Sequence, residues 1–337
     1  MVLSFNQIIN NINKNKYHLI YFLSGDEPFF IDQITSTLEQ KVIPQNLKAF
    51  NLISIYAKDS SVREIINTAK RFPMMSDKML VIVKEAQYLK NIDDLKFYIQ
   101  KPQKTTILVI NYKYKKLDHR KALYKLLAQD PNSALLETKK LYENQTLQWI
   151  QDYIKNKQIS ISPKAALMLI EYLGTSLSKI ANEIDKLTIS LKPGTTITPQ
   201  IIEQNIGISK DFNVFELQNA LGKKDFYKTM LITQHFINNP KNYPLPMIIS
   251  SLYYFFTKIL KLQFSKEKNP NKLAASINIH PYFLPQYQTA AKNFPAKKIP
   301  KIISLLRYYD MRSKGIDNAS TSNEQLLKEL IVKLFIV

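Results

Sequence analysis

"YHLIYFLSGDEPFF" (residues 17–30) reads as a strand, a glycine turn and the first turn of a helix. In that order, these elements are where nucleotide-binding folds hold phosphate, on backbone N–H groups at a helix N-terminus. A working phosphate loop also needs several glycines, a lysine for the outer phosphates and a hydroxyl for the magnesium ion. Here Gly25 is the only glycine between residues 1 and 173, and Asp26 and Glu27 follow it where positive potential is wanted. Two carboxylates repel a triphosphate. The stretch therefore predicts a nucleotide-type fold with a non-functional phosphate loop.

The surroundings alternate. Strand-like runs rich in β-branched and aromatic residues fall at 17–23, 50–57 ("FNLISIYA"), 79–83 ("MLVIV"), 105–110 ("TTILVI") and near 134–137. Helical patterns lie between them, at 28–42, 60–71, 92–100 and 117–129. The first opens with Pro28, suited to a first helical turn, and puts Ile31, Ile34 and Leu38 on one face. Alternation of this kind predicts a mainly parallel sheet covered on both faces. From 141 onward strands disappear. "SLSKIANEIDKLTIS" (176–190) places Leu177, Ile180, Ile184 and Leu187 at helical spacing. The predicted class is α/β followed by all-α.

Charge divides the chain in the same places. Residues 1–140 carry a net +9, residues 141–207 none and residues 208–337 +11. Three units are expected: 1–140, 141–207 and 208–337. The total of +20 attracts nucleic acid, since lysines near phosphates release counterions. Only five basic residues are arginine, which supplies the bidentate fork that reads guanine. The charge thus fits sequence-independent attraction or a merely basic surface. "YFLPQYQTAAKNFPAKK" (282–298) interleaves aromatics with lysines, a composition that either stacks on bases or packs a core.

Chemistry finds no support. "MLVIVKEAQYL" (79–89) has the apolar strand of a second nucleotide motif, then Lys84 and Glu85 where a metal-holding aspartate belongs. His18, His119, His235 and His280 are far apart, without metal-ligand spacing. No Gly-x-Ser-x-Gly elbow and no cysteine occur. Asp93 and Asp94 suit a helix N-terminus. No catalytic residue, metal or cofactor is expected. "MVLSFNQIINNIN" lacks the basic start and cleavage site of a signal peptide, and "LPMIISSLYYFFTKIL" (245–260) falls short of the ~20 apolar residues that span a bilayer. A cytoplasmic protein without a membrane partner is expected.

Five blocks together carry a family resemblance. "YFLSGDEPFFIDQ" (21–33) is similar to the opening signature of the delta subunits of the bacterial DNA polymerase III clamp loader. "RFPMMSDKMLVIVKEAQYL" (71–89) resembles their second block, and "SLSKIANEIDKLTIS" a third with Glu-x-x-Lys-Leu. "FNVFELQNALGKKDFYKTMLI" (212–232) resembles the start of the collar domain, and "LLRYYDMRSKG" (305–315) a late helix ending Asp-x-x-x-Lys-Gly. The blocks span nearly the whole chain in the right order.

The resemblance implies an AAA+-like domain that binds no ATP, a small helical lid and a helical collar. Gly25, Asp26 and Glu27 would then be the remnant of a phosphate loop. It implies a DNA-replication role as a component of the polymerase holoenzyme. The partners would be a sliding clamp, ATPase and delta-prime-like loader subunits, and primed DNA. By resemblance, Phe72, Pro73, Met74 and Met75 fall on the hydrophobic step that grips the clamp. Methionine in both places departs from the commoner Leu-Phe or Phe-Phe. An apolar "FPMM" before a strand otherwise reads as core under a loop. Tyr282 and Phe283 are candidates for DNA contact. The rival functions are a stand-alone single-strand DNA- or RNA-binding protein and an AAA+ ATPase with an atypical loop.

Overall fold

In a computed structural model, residues 1–155, 157–206, 211–318 and 320–337 are described. Two compact units result, Met1–Leu141 and Tyr142–Val337. The expected boundary at 207/208 lies outside the described residues.

In the first unit, β1 (Ile20–Gly25), β2 (Leu52–Tyr56), β3 (Met79–Lys84), β4 (Thr106–Lys113) and β5 (Ser133–Thr138) form one sheet in the order β2-β3-β4-β1-β5. Every pairing is parallel. The central strands are near-continuous apolar runs because helices cover both faces. Alternate residues separate two cores. Phe22, Val81, Val83, Leu108 and Ile110 pack with Ile65, Ala69, Tyr98, Leu123 and Leu127. Tyr21, Leu23, Leu80, Ile82 and Val109 pack on the other face with Ile31, Ile34 and Leu38, the stripe legible in the sequence.

Helix Phe5–Asn13, which the sequence reading did not mark, adds Ile8 and Ile12 to that second face. Its start is a reciprocal cap between Ser4 and Gln7. The strand order reverses at β1, so the carboxyl end of β1 lies at the crevice where α/β folds bind ligands. The opening stretch occupies that place.

The second unit is helical, with one correction. Strands do not vanish after 141: β6 (Ser160–Ile161) and β7 (Thr196–Ile197) pair in parallel. Two residues are too few to write a periodic pattern. Around them, helices Glu143–Lys155, Pro163–Leu173, Leu177–Ser190 and Pro199–Ile206 enclose one core, with Ile180, Ile184 and Leu187 buried as spaced. A second core is built on helix Leu245–Phe264. This helix is long and apolar enough to cross a membrane by length and composition, which corrects the expectation that it falls short. Ile248, Ile249, Leu252, Phe255, Phe256 and Ile259 are nevertheless buried within the unit's own core.

Candidate functional site

The β1–helix junction is two residues long, Asp26 and Glu27, between Gly25 and helix Pro28–Lys41. Gly25 has φ +123, and a Cβ there would meet Thr138 O at 2.1 Å. Thr138, its register partner at the end of β5, therefore requires the glycine. The backbone donors that a phosphate loop turns toward its ligand are given to protein oxygens instead. Gly25 N–H donates to Lys115 O (2.9 Å), Asp26 N–H to Thr138 O (3.2 Å) and Glu27 N–H to Thr138 Oγ1 (3.1 Å).

Pro28 has no N–H, and Phe29 N–H donates to Glu27 Oε1 (3.2 Å). The helix start, where an anion would bind, thus carries the chain's own carboxylate. Glu27 is buried, and burial pushes its pKa above the usual carboxylate value, against the Phe29 N–H and the Lys140 charge. Asp26 is half-buried and pairs with Lys116 at 3.0 Å. At the end of β3, Glu85 takes a left-handed conformation (φ +55). Lys84 and Glu85 line a polar cleft of about 320 Å³ with Asp32, Glu39, Asn111 and Lys113. Lys113 is bound to Asp32 at 2.6 Å.

The segment before β3 is built the opposite way. Helix Val62–Ala69 starts on a Ser61–Glu64 capping box and ends with Arg71 N–H on Thr68 O. Pro73 then holds Phe72 out of the helical region. Phe72, Met74 and Met75 are 76%, 59% and 90% exposed, and Pro73 is half-buried. Met75 has φ +54, rare for a residue with a side chain.

One residue that the sequence reading missed holds this segment. Asn51, fully buried at the end of the short helix Lys48–Asn51, accepts from Met74 N–H at 2.7 Å and donates to Met74 O at 2.8 Å. Its amide also donates to Leu47 O at 3.2 Å. A side chain 23 positions away in sequence carries no local signal of such a role.

The DNA-contact pair separates. Tyr282 is 59% exposed, but Phe283 is 5% exposed and packs edge-on against Phe215, with ring centroids 5.1 Å apart. Phe283 is corrected to a core residue: the short turn Pro281–Phe283 directs neighbouring side chains to opposite sides. Among the described residues, no group of three or more His, Asp or Glu could hold a metal ion.

These geometries can be set beside known proteins. Residues 21–139 match the family profile described as DNA polymerase III, delta subunit. The match covers both the filled junction and the methionine segment. The "DNA polymerase III subunit delta" of Bacillus subtilis (strain 168) is 27% identical over 335 residues, covering 96% of this chain and 94% of its own.

The chain is similar to DNA polymerase III delta subunits along nearly its whole length. The solved Bacillus subtilis DNA clamp loader delta protein has the same fold. It aligns over 99% of this chain and 100% of its own, with a TM-score of 0.57 and 24% identity. The α/β-then-helical class is the one expected from the sequence. Asn51 and the methionine segment both fall inside the residues matched by that profile.

Proposed function

We propose that this chain is the clamp-binding delta subunit of a bacterial clamp loader. In this reading it grips one protomer of a sliding clamp and favours an open ring, which is then placed on primed DNA. The observation that carries the proposal is the outward Phe72–Pro73–Met74–Met75 step. Large apolar side chains held in water by a fixed backbone are what an anchor for a partner's hydrophobic pocket requires. The likeness to other delta subunits supplies the partner.

ATP is bound and hydrolysed by neighbouring subunits and not by this chain. The N–H groups of Gly25, Asp26 and Glu27 already have protein acceptors, and Glu27 fills the helix start. Residues 1–140 act as the clamp-binding domain, 141–207 as a lid and 208–337 as a collar that assembles with ATPase and delta-prime-like subunits in the cytoplasm. Tyr282 remains a candidate for touching DNA.

The deciding experiment is binding of the purified chain to the sliding clamp of its own organism, without ATP, beside a Met74→Ser/Met75→Ser variant. Tight binding that the variant loses supports the proposal. Strong salt-dependent affinity for DNA, with none for the clamp, overturns it in favour of a nucleic-acid-binding protein.

A further inference from the structure

We infer that Asn51 is a positioning residue for clamp binding, holding the methionine ledge in its binding shape before the partner arrives. The inference rests on the clamp-binding reading above. An amide side chain carries one acceptor and a two-proton donor on adjacent atoms, the same pair that a neighbouring strand's peptide would offer. Asn51 spends both on one residue, taking Met74 N–H and giving to Met74 O at 2.7 and 2.8 Å. The second amide proton goes to Leu47 O, so the side chain is fixed at its own end as well.

Burial makes the grip one-sided. Asn51 has no access to water, and its polar atoms have no other outlet if the ledge swings away. Met74, by contrast, belongs to an exposed segment whose backbone could turn to solvent at little cost. The expense of letting go therefore falls on the buried amide, and the ledge is held from beneath. Met75 follows at φ +54, a conformation that a free chain with a side chain seldom visits. Without Asn51 the segment 72–77 would sample many shapes, and binding would have to select one of them. Loss of two ordinary hydrogen bonds from a preorganised loop predicts about a tenfold fall in affinity.

The sequence position agrees with this role. Asn51 stands between a helical turn and β2, and the ledge leads directly into β3, the strand that pairs with β2. The sheet thus fixes both ends of the hydrogen-bonded pair. The ledge is tied to two paired strands of the sheet.

The test uses the full chain and its own clamp, with Asn51→Leu as the principal variant, because leucine keeps the buried volume and removes both bonds. Amide hydrogen exchange on the free protein is expected to rise about tenfold or more at Met74 while β1, β3 and β4 stay protected. Clamp affinity is expected to fall about tenfold. Adding Asn51→Leu to Met74→Ser/Met75→Ser is expected to cost nothing further, since Asn51 acts through those side chains. A general loss of stability would not give that pattern.

Should Asn51→Leu fold poorly, Asn51→Asp keeps the acceptor for Met74 N–H alone and is expected to bind with intermediate affinity. Unchanged clamp affinity in a variant whose Met74 amide has become exposed overturns the inference. So does an unchanged Met74 amide. A wild-type chain that ignores the clamp overturns the functional reading itself. The exchange data would still report whether Asn51 holds the ledge, so the two failures are told apart.

Discussion

The junction after β1 and the segment before β3 invert the usual rule of burial in opposite senses. At the first, a carboxylate is buried and the N–H groups of Gly25, Asp26, Glu27 and Phe29 are given to protein oxygens. At the second, two methionines and a phenylalanine are turned outward while one buried amide holds the backbone. A buried charge and an exposed apolar group each need a reason, because each costs free energy relative to the alternative. At the junction the reason is closure: a helix start that would attract an anion has been satisfied internally. At the ledge, on the proposed reading, it is a surface kept for the clamp to cover.

The largest effect expected from breaking this comparison is at Gly25. Gly25→Ala brings a Cβ within 2.1 Å of Thr138 O and forces a side chain to φ +123. A clash with backbone plus a conformation nearly reserved for glycine should cost about 4 kcal/mol, read as early loss of the sheet's amide protection in urea. An unchanged unfolding profile would mean that the glycine is not there for Thr138. The account of a closed junction would then lose its first support.

Next comes the ledge. Met74→Ser/Met75→Ser should lower clamp affinity about a hundredfold, near 2.7 kcal/mol, with thermal stability unchanged because neither side chain is core. If stability falls with affinity, the methionines were packing residues after all. Met75→Gly sharpens the point. Glycine accepts φ +54 without strain, so stability should rise by about 0.5–1 kcal/mol while clamp affinity drops about tenfold. Stability and binding moving in opposite directions is the mark of a residue strained for function.

How much of this was legible in the sequence follows from which signals are local. β1, β3 and β4 were readable because each is a buried apolar run, β2 because of its isoleucines and tyrosine although it is only half-buried, and the Ile31/Ile34/Leu38 stripe because one helix face packs on the sheet. Helix Phe5–Asn13 had a signal that went unused: Ser4 and Gln7 at capping-box spacing before Ile8 and Ile12. β6 and β7 are too short to leave a signal. The methionines' outward direction was supplied only by resemblance, since composition does not distinguish an apolar anchor from core. Tyr282 and Phe283 differ by one step of a tight turn, below the phase that a sequence pattern resolves. Asn51 was invisible because its partner is a backbone 23 residues away.

The smallest effect, and the finest probe of the junction, concerns the charge state of Glu27. Burial raises its pKa in the folded protein, outweighing the Phe29 N–H and Lys140. A raised folded-state pKa means that Glu27 favours the fold while protonated. That contribution is lost as pH rises from the ordinary carboxylate range through the folded value. Glu27→Gln keeps an oxygen for Phe29 N–H and cannot ionise. The variant should therefore match wild type in acid and become the more stable of the two toward neutral pH, by no more than about 1 kcal/mol. Urea unfolding of both proteins across that range checks the sign. If wild type instead gains on the variant as pH rises, the ionised form is the favoured one. The helix start and Lys140 would then outweigh burial, and the junction would be closed by charge, in the way that a bound phosphate would close it.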